Sequence, residues 1–319
     1  MTLDSASAAF LESMQAAGGK PLYEQTVDEV RANISGASQM LAAPPAAVAR
    51  VEDRRITVPD GEFGLRVYTP RTDGGPRPIV LQFHGGGWVA GDLDTHDSIA
   101  RYYAAHADAI VISVDYRRPP EHRFPAAVED SYAAAEWAVA HAAEIGGDAA
   151  RLAVVGDSAG GNLATVVCQL AIQRGGPRIA YQVLVYPTVD LRDPMITPLY
   201  ESRAQFGGGD YFLSTRDMEW FRSLYLADVA RDMQDVRASP MAAPDLSGLP
   251  PALIVTAGCD PLRDEGKAYA GRLTASGVAA EYRCFDGAIH ACMSFAGAIP
   301  QGLDALSFVA ARLRANLTP

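Results

Sequence analysis

RLAVVGDSAGGNLATVV, residues 151–167, is the stretch whose reading decides the fold. Its first half is a short run rich in β-branched and apolar residues, the character of a strand buried on both faces. Its second half places Ala, Leu and Val at helical spacing. Between them Gly156-Asp157-Ser158-Ala159-Gly160 fits G-x-S-x-G, and the strand before it and helix after it give that short pattern its meaning. So sharp a turn holds its central residue in a strained backbone conformation. The positions two before and two after must therefore be glycine or very small, or they clash with the neighbouring strand and helix. Ser158 is predicted to project its hydroxyl above the sheet as a nucleophile, the plain alternative being a purely structural turn.

Outward from this point the same kind of run recurs: PIVLQF (78–83), AIVISVDY (109–116), YQVLVYP (181–187), ALIVTAG (252–258) and AEYRCF (280–285). Segments with helical periodicity at 125–143, 159–174, 264–276 and 301–316 lie between or after them. Strand and helix in alternation imply a mostly parallel sheet with right-handed crossovers. Upstream, RITVPDGEFGLRVYTP (55–70) alternates apolar and polar positions around Asp60-Gly61, as an antiparallel hairpin at the sheet edge would. The expected fold class is α/β, with a central sheet of about eight strands flanked by helices. Residues 1–50 and 188–238 break the alternation. They are expected to form the two parts of a helical cap over the C-terminal edge of the strands, where open α/β sheets bind ligands. Core then occupies 51–187 and 239–319.

The chain of 319 residues is 49% hydrophobic and 20% charged, enough for a sizeable core, and carries a formal net charge of -11. With no block of Lys and Arg, a nucleic-acid partner is excluded. No run approaches the length of a membrane span and none resembles a leader, so a cytoplasmic address with no membrane partner is expected. Cys168, Cys259, Cys284 and Cys292 lack metal-ligand spacing and read as reduced thiols. Cys259 and Cys292 stand beside candidate site residues, but a buried cysteine is commonly just a small hydrophobe.

His84-Gly85-Gly86-Gly87-Trp88 follows the strand PIVLQF, and its glycines let backbone amides approach a substrate closely. Gly86 and Gly87 with Ala159 are the candidate oxyanion donors, with Gly85 the nearest substitute. The same loop fits a dinucleotide-binding reading, in which Gly85, Gly87 and Ala90 match G-x-G-x-x-A and Asp115 ends the next strand. Against it, no helix opens at the second glycine, and Asp92 and Asp94 would repel a pyrophosphate. An acid and a base are expected later in the order Ser, Asp, His, each after a late strand. Asp260 follows ALIVTAG and His290 follows AEYRCF, while Asp264 falls inside the next helix, where the helix dipole accounts for it. His290 would take the Ser158 proton and return it to the leaving alcohol while Asp260 holds the imidazole, so activity should fall as acid protonates His290. His84 is expected to hold its own loop, and His96, His106, His122 and His141 carry no ligand pattern. Neither a metal nor a cofactor is implied. Trp88, Asp157, Tyr186 and Phe206 are candidate pocket residues. Tyr211, Phe212, Trp220 and Phe221 add aromatic surface, most of it expected to pack the cap itself.

Taken together, HGGGW, GDSAGG, the segment Asp115 to Ala126 (DYRRPPEHRFPA), DPLRDEG and the GAIH loop resemble the hormone-sensitive lipase family, in its bacterial esterase branch. The resemblance spans roughly residues 50–315. It implies an α/β-hydrolase fold, hydrolysis of short- to medium-chain carboxylic esters without a cofactor, Ser158, Asp260 and His290 as triad, and a homodimer through the edge strand near 280–285. Two departures stand out. Ala291-Cys292 replaces the family's usual Gly-Phe, and YRRPPE replaces YRLAPE. The family also includes plant hormone receptors that kept the fold and lost catalysis, so a non-catalytic binding protein is the alternative from another class.

Overall fold

The computed structural model describes residues 1–192 and 200–318. Eight strands form one sheet: β1 (Arg50–Val58), β2 (Gly61–Thr69), β3 (Arg77–Phe83), β4 (Ile110–Asp115), β5 (Gly147–Asp157), β6 (Tyr181–Val185), β7 (Ala252–Cys259) and β8 (Ala280–Ile289). Their order is β1-β2-β4-β3-β5-β6-β7-β8. β2 is antiparallel to β1 and β4, and every other pairing is parallel. The hairpin forms where expected, but Val58 faces Gly61, so the two-residue turn is Pro59-Asp60, one residue earlier than the sequence reading centred it. Proline sets the φ of a first turn position in advance, which places the turn there.

The sheet is covered on both faces, which explains why its central strands read as unbroken apolar runs. Alternate residues go to opposite layers. Ile79, Leu81, Leu152 and Val154 join the cluster under α4 (Ala126–Ala140), α5 (Ala159–Arg174) and α9 (Arg263–Ala275). Val80, Ala153 and Val155 join the cluster under α3 (Asp97–Ala107) and α10 (Pro300–Leu317). Each fully buried Leu, Ile or Val contributes about 1.5–3 kcal/mol. α3 was not among the segments singled out from sequence, because DSIARYYAAHA mixes polar groups into a short span. It buries Ile99, Ala100, Tyr103, Ala104 and Ala107 on one side.

Among the described residues, five helices lie outside the alternation: α1 (Ser5–Ala17) and α2 (Val27–Leu41) near the N-terminus, then α6 (Glu201–Phe206), α7 (Thr215–Tyr225) and α8 (Val229–Asp232) between β6 and β7. Thr26 and Ser214 start α2 and α7 with reciprocal capping boxes. Val30 of α2 and Phe221 of α7 pack together on Val89 and Ala90, just past the end of β3, so both segments converge on the glycine loop. Residues 193–199 of the expected second cap part lie outside the described residues. Among the described residues, no helix is long and apolar enough to cross a membrane.

Candidate active site

β5 delivers Ser158 to its turn, where it takes φ 55° and ψ -118°. No side chain other than hydrogen fits around it: a Cβ on Gly156 would lie 2.1 Å from the Gly160 carbonyl oxygen, and one on Gly160 1.9 Å from that of Phe83. The Ser158 amide donates to Val185 O of β6 at 2.9 Å, fixing the turn against the sheet. Ser158 itself is only partly covered.

The structure brings the three separated residues together. His290 Nε2 lies 3.0 Å from Ser158 Oγ, and His290 Nδ1 lies 2.8 Å from Asp260 Oδ2. Asp260 is fully buried, and its other oxygen accepts the Leu262 amide at 2.8 Å. A buried carboxylate bonded to the imidazole fixes the tautomer that leaves Nε2 free to accept the serine proton. Asp264 turns elsewhere, accepting Ser202 N–H at 2.8 Å and pairing with Arg263 at 2.7 Å.

The glycine loop is held by groups that the sequence hints at only in part. His84 is fully buried; its Nδ1 lies 2.9 Å from Gly85 O, its ring stacks on Tyr116 at 4.2 Å, and Tyr116 OH donates to His84 O at 2.8 Å. Burial holds its pKa well below the ordinary imidazole value, so it stays neutral. The Gly85 amide donates to Asp157 Oδ1 at 3.0 Å and to His96 Nε2 at 3.3 Å, so it is already engaged. Among the described residues, the amides of Gly86, Gly87 and Ala159 have no protein acceptor and remain for a ligand oxygen. Gly86 sits at φ 113° with a would-be Cβ 2.3 Å from Ala90 O, and Gly87 at φ 59° lies under the Phe221 ring. Gly86→Ala is therefore expected to distort the loop and lower kcat by roughly 10²–10³-fold, about 3–4 kcal/mol of transition-state stabilisation, measured with a dissolved p-nitrophenyl ester.

The four pocket candidates fall in different places. Tyr186, at φ 32°, sets its ring 4.8 Å from that of His290. Trp88 is buried and stacks on Tyr225 of α7 at 4.2 Å, tying the glycine loop to that helix. Phe206 packs edge-on to Tyr211 at 4.9 Å, and the Arg263 guanidinium lies 5.3 Å from its ring centre. Asp157 turns its carboxylate to Gly85 and His96.

Sequence reasoning missed three more contributors. His96 Nε2 lies 3.2 Å from Asp157 Oδ1. Arg31 of α2 donates to Val89 O at 2.9 Å and grips Glu121 with two bonds of 2.8 Å, which draws the Glu121 carboxyl down to about 2. Glu265 of α9 accepts the Asp190 amide at 2.7 Å and pairs with Arg203 of α6. Each joins residues far apart in the chain, which no local pattern encodes.

The four cysteines are unpaired. Burial, with the Asp260 carboxylate nearby, pushes the Cys292 thiol up to about 12, and burial raises the others too. In the folded protein, iodoacetamide is expected to leave Cys168, Cys259 and Cys292 unmodified and to reach at most half-buried Cys284, as intact mass would read.

Residues 80–294 match the family model described as the alpha/beta hydrolase fold. The chain is 46% identical to the carboxylic ester hydrolase LipN of Mycobacterium tuberculosis over 82% of this chain and 68% of that one. It is 37% identical to an ethyl acetate hydrolase of Pseudomonas putida over 99% of this chain and 100% of that one. A hyperthermophilic esterase from the archaeon Pyrobaculum calidifontis superposes with a TM-score of 0.92 at 40% identity, covering 99% of both chains.

Proposed function

This chain belongs to the α/β-hydrolase family, in its hormone-sensitive-lipase-like branch of bacterial carboxylesterases, and is a carboxylic ester hydrolase; from that premise we propose that Ser158, His290 and Asp260 are its triad and that Gly86, Gly87 and Ala159 bind the oxyanion. The observation that carries the reading is the continuous contact from Ser158 Oγ through His290 to Asp260, 3.0 Å and 2.8 Å, beside three unengaged amides. Ser158 Oγ attacks the ester carbonyl while His290 Nε2 takes its proton. The carbonyl oxygen becomes an oxyanion on the amides. Collapse expels the alcohol, to which His290 returns the proton, and leaves an acyl-Ser158 ester. Water then attacks that ester with His290 as base, releasing the acid and restoring Ser158. Phosphonylation of Ser158 by a fluorophosphonate, in which Oγ bonds to phosphorus and fluoride leaves, followed by peptide mapping, tests the assignment; label on any other residue overturns it.

Residues 1–50 and 188–238 form the cap in this reading, supported by the meeting of Val30 and Phe221 on the glycine loop. The preferred substrates in this reading are dissolved short- to medium-chain esters, as the family resemblance implies. kcat/KM for p-nitrophenyl butyrate is expected to exceed the rate constant on emulsified long-chain triglyceride, and the reverse order would overturn the preference. A homodimer through β8 is part of the proposal: β8 ends the sheet and presents one unpaired edge. Light scattering on the protein, compared with a proline variant in β8, tests it. The four unpaired thiols fit a reducing, cytoplasmic compartment.

A further inference from the structure

A second carboxylate–imidazole contact lies behind the one that serves Ser158. Asp157, at the end of β5, is 8% exposed, and its Oδ1 accepts the Gly85 amide at 3.0 Å. His96 Nε2 lies 3.2 Å from the same oxygen and itself accepts the Gly85 amide at 3.3 Å. His96 is 4% exposed, and its Nδ1 lies 3.0 Å from Thr95 Oγ1. Thr95 is anchored in turn, its amide on the Asp92 carboxylate at 2.8 Å and its hydroxyl on the Asp92 carbonyl at 2.9 Å. The approach of Gly85 to Asp157 is so close that a Cβ on Gly85 would stand 2.3 Å from Asp157 Oδ2.

We propose that Asp157, which shares the Gly85 amide with His96, is a positioning residue for oxyanion stabilisation, holding the Gly85 peptide so that the next two amides face the reacting carbonyl. The inference rests on the site assignment made above. Three consecutive glycines have no side chains to lock them, and glycine loses more backbone freedom on ordering than any other residue. An oxyanion site works only when its donors are fixed before charge develops, so the ordering must come from neighbours. From the side of α2 and α7, Arg31 holds Val89 O and Phe221 covers Gly87. From the sheet side, the one charged group on the Gly85 amide is Asp157, and a bond to an ionised acceptor is about twice as strong as a neutral one. The same residue adjoins the nucleophile in sequence, so one side chain ties the position of the Ser158 turn to that of the donors. His96, fixed by Thr95 on its other side, is a second acceptor for the same Gly85 amide.

The test compares Asp157→Asn, Asp157→Ala, His96→Gln and Ser158→Ala on p-nitrophenyl butyrate, with the inhibition constant of an alkyl trifluoromethyl ketone, which forms an oxyanion on addition to serine, and with Tm. For Asp157→Ala, kcat is expected to fall roughly 100-fold, with KM within about threefold of wild type and the ketone inhibition constant rising in proportion to the loss in kcat/KM. Asp157→Asn, which keeps an acceptor but not the charge, and His96→Gln should fall between Asp157→Ala and wild type with the same proportionality. Should Asp157→Ala fail to fold, those two variants decide by that criterion. A folded Asp157→Ala variant with kcat within about threefold of wild type, or a fall in kcat in any of the variants with unchanged ketone inhibition, overturns the inference. Activity surviving in Ser158→Ala would overturn the site assignment instead, so the two failures are distinguishable.

Discussion

Ser158→Ala is expected to abolish turnover: kcat for p-nitrophenyl acetate and butyrate should fall by roughly 10⁶-fold, with fluorophosphonate labelling lost and the fold retained. The size of the effect follows from what remains. Without Oγ there is no acyl-enzyme, and His290 has no proton to take from its 3.0 Å partner. The fold survives because the turn is held by other groups. The backbone amide of residue 158 bonds Val185 O, the carbonyl accepts Thr188 N–H at 3.3 Å, and alanine adds nothing to the space around Gly156 and Gly160. Circular dichroism and Tm alongside kinetics check both halves. A variant that still turns over within about 100-fold of wild type would return Ser158 to the role of a structural turn and place the nucleophile on another residue.

Arg203→Met lowers unfolding stability by about 3–5 kcal/mol, a large fraction of what holds a domain together. Arg203 is 6% and Glu265 0% exposed, and they pair with each other. Glu265 also receives the amides of Val189 and Asp190, the segment that runs from the Thr188 contact on Ser158. Burial raises the Glu265 pKa above the ordinary carboxylate value, while the Arg203 guanidinium pulls it down. Removing the guanidinium leaves the Val189 amide against burial and the Asp190 charge, and raises it further. A carboxyl whose folded pKa exceeds its unfolded one stabilises the fold when protonated, and that contribution is lost as pH rises through the folded value. The deficit of Arg203→Met is therefore full at neutral pH and shrinks as pH falls toward the ordinary carboxylate range. Adding Glu265→Gln keeps an acceptor for the two amides without the charge and is expected to recover more than half of the loss. Urea unfolding of both variants at two pH values measures this, and a deficit independent of pH would show that lost packing, rather than the stranded charge, is responsible.

The nucleophile turn, the glycine loop and the strand and helix alternation are legible in the chain because each is enforced within a few residues. Gly156 and Gly160 are demanded by contacts of 2.1 Å and 1.9 Å around a single turn, and the apolar runs report sheet faces that are both covered. Asp260 and His290 are legible by order, since each follows a recognisable strand. The hairpin turn slipped by one residue because Pro59 and Gly61 both carry turn chemistry, and local preference alone does not choose between adjacent centres. Gly85, read as a substitute donor, is occupied by a carboxylate 72 residues away.

By itself, then, the sequence determined the α/β class, the place of the strained Ser158 turn and the strands that Asp260 and His290 follow, because strained turns and buried strands restrict composition at the position where they occur. Only the tertiary structure decided which amides of the glycine loop are engaged, that Asp157 and His96 stand behind it, that Arg31 grips it from the first helical segment, and that Arg203 meets Glu265 in the interior. Those contacts span 58 to 72 residues of chain. The partners at such separations are chosen by strand order and crossover, and the pairing of a charge or an amide leaves no periodic trace in the residues around it.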